Sequence, residues 1–293
     1  MRICIIGVGN IGMRYVQGIQ KTFPDVELCL VDNNARLEEL KDLEELKPAH
    51  IVLVDSLDKI QQPIDIFVVS TSCEPRLSIY KQCLALEPRY VILEKYLFAS
   101  PEEFEDSLSL KGVPTFVNQW MYGSGAFDCI FQGGATSVEL TGSGWGLACN
   151  AVHWIDVFQR HMKITQATVG AGTTTTQVFP SKRDGYEELR GEWIFADVAS
   201  DKTFKLIDRA ADSCVDGLKI IVDDVEYEFD YTAIKRGDQI LARLPYFSDQ
   251  IGGIVGEITE KGTCSLPLLE TSVGQHLLIE DILGKLDRRP KIT

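Results

Sequence analysis

The sequence predicts an α/β protein in which a parallel sheet with helices on both faces is followed by a domain with an open, largely antiparallel sheet. In the first 118 residues, short apolar runs alternate with amphipathic stretches of helical length, the pattern of βαβ units. Beyond residue 118, most segments alternate apolar and polar residues, as strands with one solvated face do. The 293 residues are enough for two domains of ordinary size.

The first predicted domain spans residues 1–118. Its strands read as unbroken apolar runs, as expected when helices cover both faces of a sheet. The predicted strands cover residues 2–6, 26–31, 51–54, 64–69, 90–93 and 115–117, and the predicted helices cover residues 11–22, 35–46, 74–86 and 101–109. Ser100 as an N-cap, followed by Pro101 in the first turn, marks the start of the last helix.

The second predicted domain spans residues 119–267 and carries one strong helix signal, at residues 146–161. Alternating patterns predict strands at residues 164–169, 173–179, 192–198, 204–208, 218–222, 225–231 and 240–244. The tail, residues 268–286, returns to helical periodicity. Because one amphipathic helix is unstable alone in water, this helix is expected to pack on another part of the protein.

Composition excludes several classes of protein. A formal net charge of -14 argues against non-specific nucleic-acid binding, since a phosphate backbone repels such a surface. No apolar stretch reaches the length of a membrane span, and the N-terminus does not read as a signal peptide. The eight cysteines are irregularly spaced without a CxxC pair, so we expect no metal site and no disulfide framework. Reduced thiols favour a cytoplasmic location.

Residues 7–12 read GVGNIG, a GxGxxG motif placed between an apolar strand and a helix. The first glycine permits a tight turn, the second lets the backbone approach a pyrophosphate, and the third lets helix and strand pack closely. The N–H groups and dipole of the helix start favour phosphate. The motif predicts a Rossmann domain that binds a dinucleotide. The pyrophosphate-side residues are Gly7, Gly9, Asn10, Ile11 and Gly12.

Asp32 ends the second predicted strand, where Rossmann domains place the acid that binds the adenosine ribose. A carboxylate there accepts hydrogen bonds from the ribose hydroxyls and repels a 2′-phosphate. We therefore expect NAD(H) rather than NADP(H) as cofactor. A surface aspartate in an ordinary βα turn is the structural alternative, and Arg36 is close enough in sequence to reach a phosphate.

Polar residues also follow the later strands of the first domain, and ligands bind at such strand ends in open α/β sheets. These residues are Ser70 and Thr71 after the fourth strand, Glu94 and Lys95 after the fifth, and Asn118 and Gln119 after the sixth. A lysine directly after an apolar strand can simply extend to solvent at the sheet edge. At the cofactor-facing end of a Rossmann sheet, the functional interpretation of Lys95 is favoured.

The predicted helix of the second domain carries Asn150, His153 and Asp156. Residues three apart share a helix face, so Asn150 and His153 lie on one side. Histidine is the side chain best suited to proton transfer near neutral pH. The alternative is a core histidine hydrogen-bonded to Asp156 or Asn150.

Together these features resemble the glucose–fructose oxidoreductase / inositol dehydrogenase (Gfo/Idh/MocA) family. The markers stand in order along nearly the whole chain: GVGNIG, Asp32, VVSTS, Glu94-Lys95, the helix sequence CNAVHWID and the closing LPLLETSVGQHLLIEDIL. The resemblance implies a Rossmann domain followed by an α/β domain with an open, largely antiparallel sheet. It also implies that the C-terminal helix packs back on the Rossmann domain.

The resemblance assigns roles to three residues. Lys95 matches the lysine that holds the nicotinamide ribose and the substrate hydroxyl, Glu94 matches a cofactor-side acid, and His153 matches the histidine beside the reacting carbon. Three positions depart from the pattern. Tyr96 replaces a proline, Arg76 stands where many members have histidine, and Cys149 stands where many have aspartate. Asn150 is then the candidate to take part of the role of that aspartate.

The resemblance implies an NAD(H)-dependent dehydrogenase or reductase acting on CH–OH groups of a sugar, cyclitol or sugar nucleotide. The stretch GNIGMRY is similar to members that work on sugars of surface polysaccharides. One alternative is a non-catalytic dinucleotide-binding sensor or regulator of the same fold, and another is a reductase of a non-sugar substrate. The open sheet leaves a face to be covered, so a homodimer or homotetramer is expected.

Overall fold

The computed structural model describes residues 1–43, 46, 50–210 and 217–292. The chain forms two compact units, Met1–Asn118 with Tyr246–Thr271, and Gln119–Pro245 with the segment from Ser272 onward. Residues 246–271 thus join the first unit, and the residues from Ser272 group with the second. Cys214 and residues 44–45 of the predicted helix 35–46 lie outside the described residues.

The first unit is built on a six-stranded sheet in which all pairs are parallel. Its strands are β1 (Arg2–Ile6), β2 (Glu27–Val31), β3 (Ile51–Val54), β4 (Ile66–Val69), β5 (Tyr90–Leu93) and β6 (Thr115–Val117). The order β3-β2-β1-β4-β5-β6 confirms the predicted Rossmann sheet. The strand order reverses between β1 and β4, and ligands bind at the carboxyl ends of strands beside such a switch point.

Four helices connect these strands: α1 (Asn10–Thr22), α2 (Asn34–Lys41), α3 (Arg76–Ala85) and α4 (Pro101–Ser109). Asn33 caps α2, since its side-chain oxygen accepts a hydrogen bond of 3.0 Å from the N–H of Arg36. Helix α4 begins at Pro101, as the sequence predicts. Apart from the edge strand β3, whose Val52 is exposed, the strands are largely buried on both faces, which explains their unbroken apolar sequences.

A further helix of the first unit, α6 (Phe247–Lys261), packs on α1 and was not predicted from the sequence. The two helices approach so closely that a Cβ added at Gly252 would lie 1.8 Å from Oγ1 of Thr22. Close approach therefore requires glycine at this position. Glycine has a low helix propensity, and this helix contains three glycines. The segment was therefore not recognised as helical from its sequence.

The second unit contains an open nine-stranded sheet. Its strands are β7 (Ser137–Ser143), β8 (Ala167–Val169), β9 (Thr174–Pro180), β10 (Glu187–Asp197), β11 (Thr203–Arg209), β12 (Leu218–Val222), β13 (Val225–Phe229), β14 (Ala233–Arg236) and β15 (Gln239–Arg243). The pairs are antiparallel apart from β7 with β11, so the predicted largely antiparallel sheet is confirmed. Strand β7 was missed because it offers only Val138 and Leu140 as buried apolar residues.

Helix α5 (Leu147–Met162) covers one face of this sheet. The rings of Trp154 and Phe158 lie 5.8 Å from those of Phe229 and Phe204, respectively. Side chains alternate between faces along a strand, so the neighbouring charged residues point the other way. That opposite face carries ion pairs between Lys205 and Glu192 (3.3 Å) and between Lys219 and Glu226 (2.5 Å). This opposite face therefore includes paired charged side chains.

The last helix, α7 (Leu269–Leu283), lies within the predicted tail helix. In the part of the chain that the structure describes, no helix combines the length and apolar character needed to cross a membrane.

Candidate functional site

The glycine loop between β1 and α1 has the geometry of a dinucleotide-binding turn. Gly7 has a left-handed φ of 86°, and a Cβ added there would lie 2.9 Å from the backbone N of Thr71. A Cβ added at Gly12 would lie 2.2 Å from the carbonyl oxygen of Gly7. A Cβ added at Gly9, in contrast, would meet nothing within 4 Å. The outer glycines therefore permit close packing, and the middle one leaves open space beside the backbone.

Helix α1 begins immediately after this space. Gly9 is its N-cap and provides no side-chain cap, and the first turn contains no acidic residue. The first N–H groups of a helix lack intrahelical partners, so a phosphate can accept their hydrogen bonds. Asn10 and Ile11, both predicted at the pyrophosphate, are exposed in this first turn.

Ser70 fixes the glycine loop to the end of β4. Its hydroxyl donates to the carbonyl oxygen of Gly7 at 2.7 Å and lies 3.1 Å from that of Ile6. The hydroxyl of Thr71 donates to the carbonyl oxygen of Ser72 at 3.0 Å. Both residues were predicted to bind the cofactor, and the structure places both beside the glycine loop.

Asp32 lies at the end of β2 and also contacts the glycine loop. Its Oδ2 accepts a hydrogen bond of 2.7 Å from the N–H of Val8, and its Oδ1 accepts one of 2.8 Å from the N–H of Asn33. Arg36 donates from Nε to the carbonyl oxygen of Val8 at 2.9 Å and pairs through Nη1 with Glu39 at 2.7 Å. The carboxylate and the guanidinium are thus both oriented by the same loop residue.

Glu94, after β5, is 6% exposed and forms the centre of a buried polar cluster. Its Oε1 accepts hydrogen bonds from the hydroxyl of Tyr15 at 2.7 Å and from Nδ2 of Asn118. Burial raises the pKa of the Glu94 carboxyl, while the bonds from Asn118 and Tyr15 favour its charged form. The cluster joins α1 to the ends of β5 and β6. Tyr15 was not singled out from the sequence, because nothing local marks it as a partner of Glu94.

Lys95 follows Glu94 and is half-buried at the carboxyl end of β5, on the same sheet edge as the glycine loop. The next peptide bond, Lys95–Tyr96, is cis. Tyr96, which stands in place of the proline of the resembled motif, is buried, with its ring edge-on to Phe104 at 6.2 Å. Tyr96 therefore contributes to the core beneath this edge.

In the second unit, α5 carries His153, the residue predicted to transfer a proton, and Asn150 beside it. His153 is 7% exposed. Asn150 donates from Nδ2 to the carbonyl oxygen of Trp145 at 2.8 Å. Asp156 is fully buried, and its Oδ1 accepts hydrogen bonds from Nε of Arg160 at 2.9 Å and from Nε2 of Gln275 at 3.0 Å. Both Asn150 and Asp156 were considered as partners for His153, and the structure shows Asn150 bonded to Trp145 and Asp156 bonded to Arg160 and Gln275.

Burial makes the carboxyl of Asp156 a weaker acid than an ordinary aspartate. Desolvation raises the pKa of its carboxyl to about 6, although Arg160 and Gln275 favour the charged form. Gln275 also accepts from Nε2 of Gln119, which in turn donates to the carbonyl oxygen of Val152. Gln275 was not singled out from the sequence, because it comes from α7, 119 residues further along the chain from Asp156.

Glu188 is a second residue that sequence reasoning missed. It belongs to β10 and is buried at the start of α5. Its Oε1 accepts hydrogen bonds from the N–H groups of Ala148 at 2.6 Å and of Cys149 at 3.3 Å. A carboxylate at a helix N-terminus satisfies unpaired N–H groups and the helix dipole. A cap supplied by a distant strand leaves no local sequence pattern.

Comparison with protein families gives one match. Residues 1–111 match the family model GFO_IDH_MocA, described as an oxidoreductase family with an NAD-binding Rossmann fold. The resemblance found in the sequence is confirmed over this segment, which matches the NAD-binding Rossmann domain of that family. A comparison with curated proteins found no match.

Solved structures resemble the whole chain. The super-repressor mutant of Gal80p from Saccharomyces cerevisiae has a TM-score of 0.69 at 15% identity, covering 96% of this chain and 95% of that one. GenD2 from gentamicin A biosynthesis, in complex with NAD, has a TM-score of 0.69 at 14% identity, covering 96% and 92%. An NAD binding oxidoreductase from Klebsiella pneumoniae has a TM-score of 0.69 at 14% identity, covering 96% and 95%. At these identities the likeness shows a shared fold.

Proposed function

We propose that the protein is an NAD(H)-dependent oxidoreductase acting on a hydroxyl or ketone of a sugar, cyclitol or sugar nucleotide. The observation that carries the proposal is the open space at Gly9, flanked by the tightly packed Gly7 and Gly12 and followed by an uncapped helix start. This arrangement fits a pyrophosphate. The bound nicotinamide would supply the hydride acceptor or donor, and the protein supplies binding, orientation and proton transfer.

NAD(H) is the proposed cofactor form. Asp32 presents its carboxylate beside the loop, where it accepts from ribose hydroxyls and repels a 2′-phosphate. Arg36 is the residue that would favour NADP(H), but its guanidinium is engaged by the carbonyl of Val8 and by Glu39. The Glu39 carboxylate offsets the charge that a 2′-phosphate needs. Both contacts support NAD(H).

Lys95, His153 and Asn150 are the proposed catalytic residues. Lys95 would hold the nicotinamide ribose and polarise the reacting oxygen, and its place at the carboxyl end of β5 supports this role. His153 would accept or donate the hydroxyl proton. Asn150 would bind substrate or orient neighbouring groups from the first turns of α5. On the cofactor side, Glu94 would support the loop through its buried bonds to Tyr15 and Asn118.

A non-catalytic dinucleotide-binding regulator is the second candidate. The resembled family places aspartate where this chain has Cys149, and a thiol cannot take over its carboxylate chemistry. Gal80p, whose solved structure is that of a super-repressor mutant, shares the fold. The retained Lys95 and His153 favour the enzyme.

We further propose a cytoplasmic protein that forms a homodimer or homotetramer. The open sheet of the second unit supports self-association, and its outward ion pairs would require the partner surface to be charge-complementary.

The test combines binding with turnover. The full-length protein is titrated with NADH and NADPH, and is then incubated with NADH and a panel of keto-sugars, cyclitol ketones and nucleotide keto-sugars. Oxidation of NADH by the wild type, abolished in a Lys95→Ala/His153→Ala double variant, supports the enzyme. NADH binding without turnover on any panel member supports the regulator. Failure to bind either dinucleotide overturns both proposals.

A further inference from the structure

The loops after β4 and β5 are joined by one buried side chain. Arg76, the first residue of α3, is 2% exposed. Its Nη1 donates to the carbonyl oxygens of Leu97, at 3.0 Å, and of Tyr96. Its Nη2 donates to the carbonyl oxygen of Thr71. One guanidinium therefore bonds the backbone of the Thr71 loop and the backbone that follows Lys95.

These bonds are strong for their kind. Burial lowers the pKa of Arg76 to about 10, which leaves the guanidinium charged at neutral pH, and the Glu94 carboxylate stabilises that charge. A charged donor makes stronger hydrogen bonds than a neutral one, and the planar guanidinium fixes the direction of each. Lysine at this position would keep the charge but present a single ammonium to carbonyls from two loops.

The position of these loops in the sheet indicates which half of a bound dinucleotide they would lie beside. A Rossmann sheet of this strand order consists of two mononucleotide-binding halves, β1–β3 and β4–β6. The glycine loop and Asp32 belong to the first half, which receives the adenosine part. Thr71 and Lys95 belong to the second half, which receives the nicotinamide part.

We infer that Arg76 is a positioning residue for the nicotinamide half of the site, holding the backbone beside Lys95 against the Thr71 loop. The inference rests on the proposed dinucleotide function and adds a residue to it. Arg76 acts through backbone carbonyls and does not itself contact the cofactor. Substitution of Arg76 should therefore weaken binding of the nicotinamide half of the cofactor more than binding of the adenosine half.

The experiment compares NADH with ADP, which carries only the adenosine half and the phosphates. Dissociation constants are measured by calorimetry on the full-length wild type, Arg76→Met and Arg76→Lys. Arg76→Met is expected to raise the Kd for NADH roughly tenfold or more, the scale of lost charge-assisted bonds, with a change in the Kd for ADP of about twofold or less. Arg76→Lys is expected to give an intermediate loss for NADH.

Tyr80→Phe is the matched control. Tyr80 lies on the same helix, is also 2% exposed, and its hydroxyl bonds to Oγ1 of Thr115 at 2.9 Å, away from both loops. The Tyr80→Phe variant should have lower thermal stability and unchanged dissociation constants for NADH and ADP.

If Arg76→Met does not fold, the ratio of the dissociation constants for NADH and ADP in Arg76→Lys decides. Equal losses for NADH and ADP, or an unchanged NADH affinity, overturn the inference while leaving wild-type binding and turnover intact. A wild type that binds no dinucleotide overturns the proposed function as well.

Discussion

The N–H of Val8 donates a hydrogen bond of 2.7 Å to Oδ2 of Asp32, joining the centre of the glycine loop to the end of β2. Arg36 holds the carbonyl oxygen of the same residue at 2.9 Å. The N–H and the carbonyl of Val8 are thus both bonded to residues that we propose to set the cofactor preference. We therefore expect a substitution at Asp32 to change both the loop geometry and the cofactor preference.

The glycine loop offers a pair of substitutions that should affect stability to different extents. A Cβ at Gly12 would lie 2.2 Å from the carbonyl oxygen of Gly7, whereas a Cβ at Gly9 would meet nothing within 4 Å. Gly12→Ala should lower the free energy of unfolding by about 1–3 kcal/mol, the usual cost of overpacking. Gly9→Ala should change it by about 1 kcal/mol or less, because only the N-cap preference is affected.

Dinucleotide binding separates the same pair. Gly9→Ala should weaken NADH by roughly tenfold or more although it folds normally, because its methyl group occupies the space proposed for the pyrophosphate. Denaturant unfolding and fluorescence titration measure the two effects. A Gly9→Ala variant with wild-type NADH affinity would show that the pyrophosphate does not lie at this glycine.

Cofactor preference is tested at Asp32. NADH should bind the wild type more tightly than NADPH, and Asp32→Ala should narrow or invert the difference. Glu39→Gln is a useful companion, because it releases Arg36 from its ion pair at 2.7 Å without touching the loop, and should improve NADPH binding. Titrations of both cofactors measure the ratio. Equal wild-type affinities for NADH and NADPH contradict the role given to Asp32.

The sequence allowed the first unit to be predicted well, because its determinants are local. Each strand of the parallel sheet is an apolar run, and GVGNIG carries its own strand and helix context. Helix α6 could not be found in the same way. Its glycines, such as Gly252, serve close packing on α1, a tertiary requirement that opposes local helix propensity.

The residues of the candidate site also fall into those marked by local sequence and those that depend on tertiary contacts. Gly7, Asp32 and Lys95 were found because strand ends and motif spacing mark them. Glu188 bonds the start of α5 from 40 residues away, and Arg76, noted in the sequence only as a departure from the family pattern, bonds backbone carbonyls 5 to 21 residues away. Such contacts depend on tertiary folding and leave no spacing pattern. Sequence reasoning therefore proposes ligand-facing candidates more readily than residues whose role depends on distant contacts.

Asp156 predicts a specific dependence of stability on pH. Its folded-state pKa is about 6, raised by burial above the ordinary value of 3.8. The native state therefore retains a proton that the unfolded chain has released. The stabilisation is fully present below about pH 4 and is lost as pH rises through about 6, by at most about 3 kcal/mol.

Asp156→Asn provides the comparison, because it keeps an acceptor for Arg160 and Gln275 and does not titrate. The free energy of unfolding of the wild type minus that of the variant should fall between pH 4 and 7. Urea unfolding at several pH values measures this difference. A difference that is constant or rises with pH would show that Asp156 is ionised throughout this range.

Asn150→Asp introduces the carboxylate that the resemblance leads one to expect near this position. Asn150 donates to the carbonyl oxygen of Trp145, which a carboxylate cannot do. Asn150 and Glu188 both lie beside Gly146: a Cβ added there would be 2.9 Å from Nδ2 of Asn150 and 3.1 Å from Oε2 of Glu188. An aspartate at position 150 would therefore place its carboxylate close to that of Glu188. We expect a loss of about 1–3 kcal/mol of stability at pH 7.

Asn150→Ala is the control for that variant, since it removes the hydrogen bond without adding charge. The difference between Asn150→Asp and Asn150→Ala should shrink at acidic pH as the carboxylates become protonated. Asn150→Asp should also lower activity. Wild-type stability with equal or higher turnover in Asn150→Asp would instead mean that Asn150 orients His153 and that a carboxylate can replace it.

His153 provides the decisive test of catalysis. His153→Ala should lower kcat roughly a hundredfold or more, the usual contribution of a positioned acid or base. NADH affinity should be nearly unchanged, because the glycine loop and Asp32 belong to the other unit. Lys95→Ala should weaken both NADH binding and turnover.

The matched control for His153→Ala is His161→Ala on the same helix α5, where the His161 ring stacks on Phe131 at 4.4 Å. It should reduce stability without a hundredfold loss of kcat. Steady-state kinetics and NADH titration below the unfolding temperature distinguish these outcomes. If the wild type, His153→Ala and Lys95→Ala all bind NADH and are equally inactive on every sugar tested, the regulator replaces the enzyme as the function of this fold.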